Sequence, residues 1–390
     1  MTRTIVDVHV LQTVPPSNIN RDDTGSPKTA IFGGTRRARV SSQAWKRATR
    51  LAFDGLLSTD DLGVRTKRIV DLVAARITEL RPDLSEQATT LAEGILTSTG
   101  LKLEKVKRTK TNGETSEHQE PGYLVFLSRL QVNKLAETAI ELADQPDPAA
   151  ALKAFKGKSL LDRDHSIDVA LFGRMVADVS DLNVDACAQV AHALSVHTVD
   201  NEYDYFTAVD DEKQQAADED AGAGMIGTVE FNSSTLYRYA TVDADRLADN
   251  LGDVTATRRA VEAFLQAFVQ SMPTGKQNTF ANRTLPDAIV VVLREEQPVN
   301  LVGAFEDPVK ASAETTRAEV AAHLLAERAD EISDVFGQRP VKSWAVALGT
   351  ARKGLSSVWP EGGDAVEWTT LPALYAAVGE LVSQRLGAGQ

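Results

Sequence analysis

The segment Arg36–Arg50 holds six basic residues and no acid, in a chain whose formal charge is −13. Widening to Arg21–Arg50 gives eight basic residues against Asp22 and Asp23. A chain with this pattern must place a charged face at its surface while still packing an apolar one. Charge alone leaves two readings open, a polyanion held there or a solvated basic face.

Spacing narrows the choice. Ile5–Leu11 alternates as a strand, with Val6, Val8 and Val10 on one side. Pro15, Pro16, Gly25, Pro27, Gly33 and Gly34 then punctuate a long loop. Ser41 or Ser42 is a suitable N-cap for a helix running to about Leu57. On that helix Gln43, Lys46, Arg47 and Arg50 recur at i, i+3, i+4 and i+7, on one face. Ala44, Ala48, Leu51 and Ala52 form an adjoining apolar stripe that can pack on a sheet. Serine hydroxyls, first-turn amides and basic side chains thus converge where a helix begins, an arrangement suited to a phosphate. Phe32-Gly33-Gly34 lets the backbone approach a ligand closely. Neither glycine pair completes a P-loop or a dinucleotide fingerprint.

At 390 residues the chain can bury a sizeable core, as one elaborated domain or as two or three subdomains. Cys187 is the single cysteine, which excludes an intramolecular disulfide and a cysteine-built zinc site. The first residues lack an apolar signal region and no stretch approaches a membrane span, so the expectation is a cytoplasmic protein.

Arg65–Leu80, Leu84–Ser98 and Tyr123–Leu142 carry helical spacing, and Leu101–Gln119, rich in lysine and polar residues, reads as a surface loop. Ile167–Phe172 reads as a strand, and Ala186–His197 as a helix or mixed element. Nine acids and one lysine follow between Asp200 and Asp220, with Tyr203, Tyr205 and Phe206 embedded, in what resembles a long hairpin. Arg246–Met272 reads as a helix, Ala288–Leu293 as a buried-type strand, and the remainder as mainly alanine-rich helices. This order predicts an α+β fold elaborated by insertions.

Several blocks now resemble one family, the CasC-type backbone subunit of type I-E CRISPR Cascade, within the RAMP superfamily. They are Asn20-Arg21-Asp22-Asp23, Ala30–Gly34, Arg36–Gln43, Val169–Met175, Phe206–Asp211, Tyr237–Ala240 and Gly275–Phe280. The resemblance implies a modified RRM-like, ferredoxin-like palm with a helical fingers insertion and a β-hairpin thumb. Its divisions would be palm at 1–59, fingers at 60–165, palm at 166–198, thumb at 199–228, and palm with C-terminal helices at 229–390. It implies a non-catalytic protein without cofactor or metal. Copies would stack along CRISPR guide RNA beside other Cascade subunits, leaving bases to pair with target DNA, and no membrane is involved. Arg21, Ser41, Gln43, Lys46, Arg47 and Arg50 would contact guide phosphates. Arg174 belongs to the same set, Met175 and Phe206 would bracket a base, and Thr207 would lie nearby. Lys276 and Arg283 would be further RNA contacts, and Lys153, Lys156 and Lys158 would line a groove for DNA.

Type III relatives of this family cut RNA with an aspartate, so the alternative is a metal-dependent endoribonuclease using Asp22 and Asp23. Against it, either aspartate can pair with an arginine or cap a turn. His192 and His197 are five residues apart and miss the helical ligand spacing, His9 sits between valines, and His118 and His165 lie in polar segments. No serine elbow or paired acid and base supports a small-molecule enzyme.

Overall fold

The computed structural model describes residues 2–109, 115–176, 179–208 and 225–388. Val209–Asp211 of the hairpin block, the acidic run after it and Lys110 lie outside the described residues. The class is α+β, as expected. The chain forms two compact units, the first from Met1–Ala52, Val190–Thr241 and Val261–Arg385, the second from Phe53–Gln189, Val242–Ala260 and Leu386–Gln390.

The first unit is built on a sheet. Its strands are β1 (Ile5–Ser17), β2 (Thr29–Phe32), β3 (Thr35–Val40), β4 (Ala193–Ser195), β5 (Glu202–Ala208), β6 (Met225–Asp243), β7 (Ala288–Arg294), β8 (Lys342–Ala347) and β9 (Glu367–Trp368). The order is β9-β8-β7-β1-β6-β4-β3-β2, with β5 paired to β6 outside that path. β1 and β7 run antiparallel, from Ile5 opposite Arg294 to Leu11 opposite Ala288, and all seven residues of β7 are buried. An unbroken Ile-Val-Val-Val-Leu run fits a strand covered on both faces. β8 and β9 pair in parallel. β8 is a strand where sequence reading expects mainly helices.

Period-two alternation along β6 sorts its residues. Tyr237 and Tyr239 point into a core with Leu11, Val290, Val292, Leu325 and Trp359. Leu236 points the other way, into a cluster with Val14, Ala38, Val40 and Trp45. Several polar side chains buried on the tyrosine side bond one another. Asp7 accepts from Arg294 Nε at 3.0 Å, the Tyr239 hydroxyl at 2.8 Å and the Val299 N–H at 2.9 Å. His9 Nδ1 lies 2.9 Å from the Tyr237 hydroxyl, and burial pushes its pKa down to about 3.

The second unit packs helices Ile69–Leu80, Ala88–Ser98 and Arg129–Ala143 around Val73, Ile77, Leu91, Ile95 and Leu135. Three expectations are corrected here. Leu101–Gln119 is largely a hairpin, Leu103–Thr109 against Thr115–Pro121, where Lys107 stands opposite Glu117 and Arg108 pairs with Glu120 and Asp71. Cross-strand charge pairs hold it in place of an apolar face. Tyr123–Leu142 begins as a strand, Val125–Ser128, before Ser128 caps the helix Arg129–Ala143. Ile167–Phe172 is a helix with Ser166 as N-cap, and in its first turn Asp168 Oδ1 accepts from the Val169 and Gly63 N–H groups. Farther on, two short strands, Ala188–Val190 and β4, replace any helix in Ala186–His197. Arg246–Met272 divides into Ala244–Leu251 and Val254–Gln270 at Gly252, whose φ is +69°.

Candidate nucleic-acid interface

The helix α1 (Ser42–Ala52) carries the residues of interest. Its buried face is Trp45 and Thr49, one turn apart, whereas Leu51, expected to pack, is 47% exposed. Trp45 is held by a buried cation. The Arg238 guanidinium lies 3.7 Å from the Trp45 ring and 4.6 Å from the Phe268 ring. It also donates to Gln12 Oε1 at 2.6 Å and to the Phe268 carbonyl. Burial lowers its pKa to about 9. With that face anchored, helical spacing turns Gln43 and Arg47 to solvent and leaves Lys46 and Arg50 half-buried. Burial also holds the Lys46 ammonium below the usual lysine range.

The start of α1 is tied to the preceding loop. The Ser41 carbonyl accepts from the Ala44 and Trp45 N–H groups at 3.0 and 3.3 Å, and the Ser41 N–H donates to Asn20 Oδ1 at 2.8 Å. Arg21, exposed, follows Asn20 directly and bridges to Pro27. Asn18 Nδ2 donates to the carbonyls of Gly25 and Glu230, both at 2.9 Å, joining this loop to the foot of β6. Gly275 presses on the same loop so closely that a Cβ there would meet the Ile19 carbonyl oxygen at 2.4 Å. Lys276 follows, with φ +50° and half-buried, at the start of the short helix Gln277–Phe280. Arg21, Ser41, the polar face of α1 and Lys276 are therefore gathered on one side of the first unit. Arg283 is exposed, its Nη2 3.4 Å from the Gln270 carbonyl. Lys28 and Arg39 enrich the same region. His192, 3.3 Å from Arg39, has its pKa lowered by burial and by these two cations.

The aromatic candidates are displayed on the surface. Phe206 stands across from Gly227 in the β5–β6 pair, and a Cβ at Gly227 would meet the ring at 2.5 Å. The absent side chain makes a seat for the ring, which stays 37% exposed. Thr207 is exposed opposite Ile226. In the second unit Met175 is 80% exposed, so core packing does not explain it.

Two arginines from the quoted blocks are interior. Arg174 donates from Nε to the Leu182 carbonyl and from Nη2 to the Leu161 carbonyl, each at 2.8 Å, and burial lowers its pKa to about 10. With 4% exposure it has no donors to offer a phosphate, which corrects its inclusion among the RNA contacts. Arg37 is fully buried and donates to the carbonyls of Phe32, Ser195, Phe305 and Glu306. Lys153 and Lys156 are exposed in the second unit, and Lys158 pairs with Asp181 at 2.9 Å.

Asp22 is occupied as a turn acceptor. Its Oδ1 takes the Thr24 hydroxyl at 2.7 Å, the Thr24 N–H at 2.9 Å and the Ser26 N–H at 3.0 Å. These bonds hold its carboxyl below the usual range. Among the described residues no group of three or more His, Cys, Asp or Glu could hold a metal ion. Cys187 is buried, 3.2 Å from Asn250 Nδ2, and burial pushes its thiol up to about 12. No described helix is long and apolar enough to cross a membrane.

The family model described as CT1975-like protein matches residues 6–360. The chain belongs to that family. Among solved structures it is similar to a chain of the "CRISPR RNA-guided surveillance complex, pre-nicking", with TM-score 0.78 and 33% identity over 97% of this chain and 100% of that one. A chain of another "CRISPR RNA-guided surveillance complex" aligns at TM-score 0.65 and 29% identity, covering 96% of this chain and 99% of that one. No curated protein matches.

Sequence reading missed Trp45 and Arg238 as the frame behind α1. The tryptophan lies inside the quoted basic segment, and its i, i+4 spacing to Thr49 is the one local signal for the buried face. Nothing near Arg238 in sequence announces that its partners are Gln12, Trp45 and Phe268.

Proposed function

We propose that this CT1975-like protein is a non-catalytic backbone subunit of an RNA-guided CRISPR surveillance complex, of the type I-E Cascade kind. It grips the phosphates of guide RNA and leaves bases free to pair with target DNA. The observation that carries the reading is the gathering of Arg21, the Ser41 helix start, Gln43, Lys46, Arg47, Arg50 and Lys276 on one side of an anchored frame. Such an array holds a sugar-phosphate chain without reading its sequence. The solved surveillance-complex chains, similar over nearly the whole length, support the same role. In this picture the first unit supplies an RRM-like palm and the β5–β6 thumb, with Phe206 as a surface for a guide base, and Met175 is an exposed base contact of the second unit. The helical second unit corresponds to the fingers, with Lys153 and Lys156 toward DNA. Copies of the chain would repeat along one guide, beside other subunits of the complex. The nuclease alternative is not favoured, since the hydrogen bonds of Asp22 Oδ1 to Thr24 and Ser26 give that residue a turn-forming use.

The test is filter binding of the purified chain to single-stranded RNA across a salt series. Binding is expected to weaken steeply with salt, and replacing Lys46, Arg47 and Arg50 together by alanine should reduce the log–log slope by about 2. RNA incubated with Mg²⁺ should remain intact. A slope unchanged in the triple variant, or Mg²⁺-dependent cuts lost in Asp22→Ala, would overturn the reading.

A further inference from the structure

Beside the start of α1 the first unit contains a small open pocket of about 20 Å³ with a mixed polar and apolar lining. Ser17, Asn20, Lys28, Arg39, Asn232 and Ser234 supply its polar lining, over a floor that includes Val14, Ala38 and Val40. The floor belongs to the cluster that buries Trp45, so the pocket sits on the rigid frame. Its polar walls are drawn from three places, the end of β1 with its following loop, β3, and β6 (Asn232 and Ser234).

The volume decides what fits. About 10–15 Å³ suffices for one water-sized group, and a tetrahedral phosphate needs several times more. The pocket is open at its mouth, so its inner space seats a single hydroxyl or a water and a phosphate is left at the rim. Its lining can meet a group that both donates and accepts. Among the described residues the hydroxyls of Ser17 and Ser234 make no hydrogen bond within the chain. The amide of Asn232 donates to Asn201 Oδ1 at 3.0 Å, and that of Asn20 accepts from the Ser41 N–H. The two cations say what accompanies the hydroxyl. Arg39 spends its Nε on the Thr29 carbonyl and Nη1 on His192, and its Nη2 has no such bond among the described residues. Lys28 is half-buried and forms no ion pair there. A hydroxyl-sized hole beside two cations matches a ribonucleotide, in which the 2′-hydroxyl lies next to the 3′-phosphate. A deoxynucleotide would leave the hole empty.

We infer that this pocket seats a ribose 2′-hydroxyl of the bound strand, with Ser17 and Ser234 as its partners and Lys28 and Arg39 on the neighbouring phosphate. The pocket thereby makes the surface select RNA over DNA. This rests on the RNA-binding reading above, and adds the chemistry by which one nucleic acid is preferred.

The experiment compares three single strands of one sequence on the purified full chain: RNA, the same strand as deoxyuridine-containing DNA, and the 2′-O-methyl RNA. RNA is expected to bind about tenfold tighter than DNA, the size of one or two net hydrogen bonds. The 2′-O-methyl strand keeps the ribose shape and overfills the pocket, so it should fall to the DNA level. In Ser234→Ala combined with Ser17→Ala the RNA-to-DNA ratio should drop from about ten toward one. Three results would each overturn the inference: equal binding of RNA and DNA by the wild-type chain, 2′-O-methyl RNA binding as well as RNA, or a ratio unchanged in the double variant. In all three, salt-dependent RNA binding would persist. If the wild-type chain bound none of the strands, the RNA-binding reading itself would be lost.

Discussion

Two of the chain's basic runs are treated differently by the structure. The first, Arg21–Arg50, stands on a built frame. Trp45 is clamped by Arg238, Ser41 is tied through Asn20, and Gly275 presses the neighbouring lysine loop into place. The second, Lys153–Lys158, lies on a short helix and the turn after it. Lys153 and Lys156 project into solvent, while Lys158 faces Asp181. A basic run is thus a positioned array in one place and a solvated surface in the other. Binding requires that donors be held still, since ordering a loose lysine costs about as much as an exposed ion pair returns.

The comparison can be broken most sharply at the frame. Trp45→Ala removes a fully buried indole and should cost about 3–5 kcal/mol in denaturant unfolding. RNA affinity should fall with it although no charge is altered, whereas Trp45→Phe should recover most of both. If Trp45→Ala binds RNA normally at temperatures where it is folded, positioning is not what distinguishes the first run. Acid probes the opposite face of the same sheet, where His9 packs on Tyr237 and Tyr239. His9 is neutral in the folded chain, with its pKa lowered from 6.5 to about 3. The unfolded chain binds the extra proton in that window, so stability rises with pH from about 3 to 6.5 and is lost on acidification. His9 alone should contribute a slope of about 1.4 kcal/mol per pH unit below 6.5. Comparing unfolding curves at pH 7 and 5 for the wild type and His9→Gln isolates it, and parallel losses in both would refute the assignment. The smallest effect belongs to the second run. Replacing Lys153, Lys156 and Lys158 by alanine should change guide-RNA affinity by less than about threefold and stability by less than about 0.5 kcal/mol. An RNA effect equal to that of the α1 triple variant would erase the contrast.

What could be read from sequence follows the same division. β1, β7 and the polar face of α1 were legible because their patterns are local, an apolar run for a covered strand and i, i+3, i+4, i+7 for a helix face. Ile167–Phe172 was misread because six apolar-rich residues fit a strand or a buried helix equally well. The deciding contacts are those of Asp168, made partly to Gly63 far away in the chain. Leu103–Pro121 hides its hairpin because charge pairs replace the apolar alternation that marks a strand. Arg37, Arg174 and Arg238 look like surface cations, since the carbonyls and rings that enclose them are remote in sequence. Trp45 is masked in sequence by the charged residues that flank it. The 2′-hydroxyl pocket could not be seen at all, because Ser17, Arg39 and Ser234 become neighbours only through the sheet.

β6 also sets spacing. One unbroken strand of 19 residues carries Gly227 beneath the Phe206 ring, Asn232 and Ser234 at the pocket, and Arg238 beneath α1. At about 3.3 Å per residue it works as a ruler, with the aromatic seat and the α1 clamp marked about 36 Å apart along it. The marks also have a sidedness. Asn232, Ser234, Leu236 and Arg238 share one face, and the core tyrosines occupy the other. Insertion of a single residue below Asn232 would shift the seat by one step and turn it over, leaving the clamp in register. Length and parity along this strand are therefore fixed together.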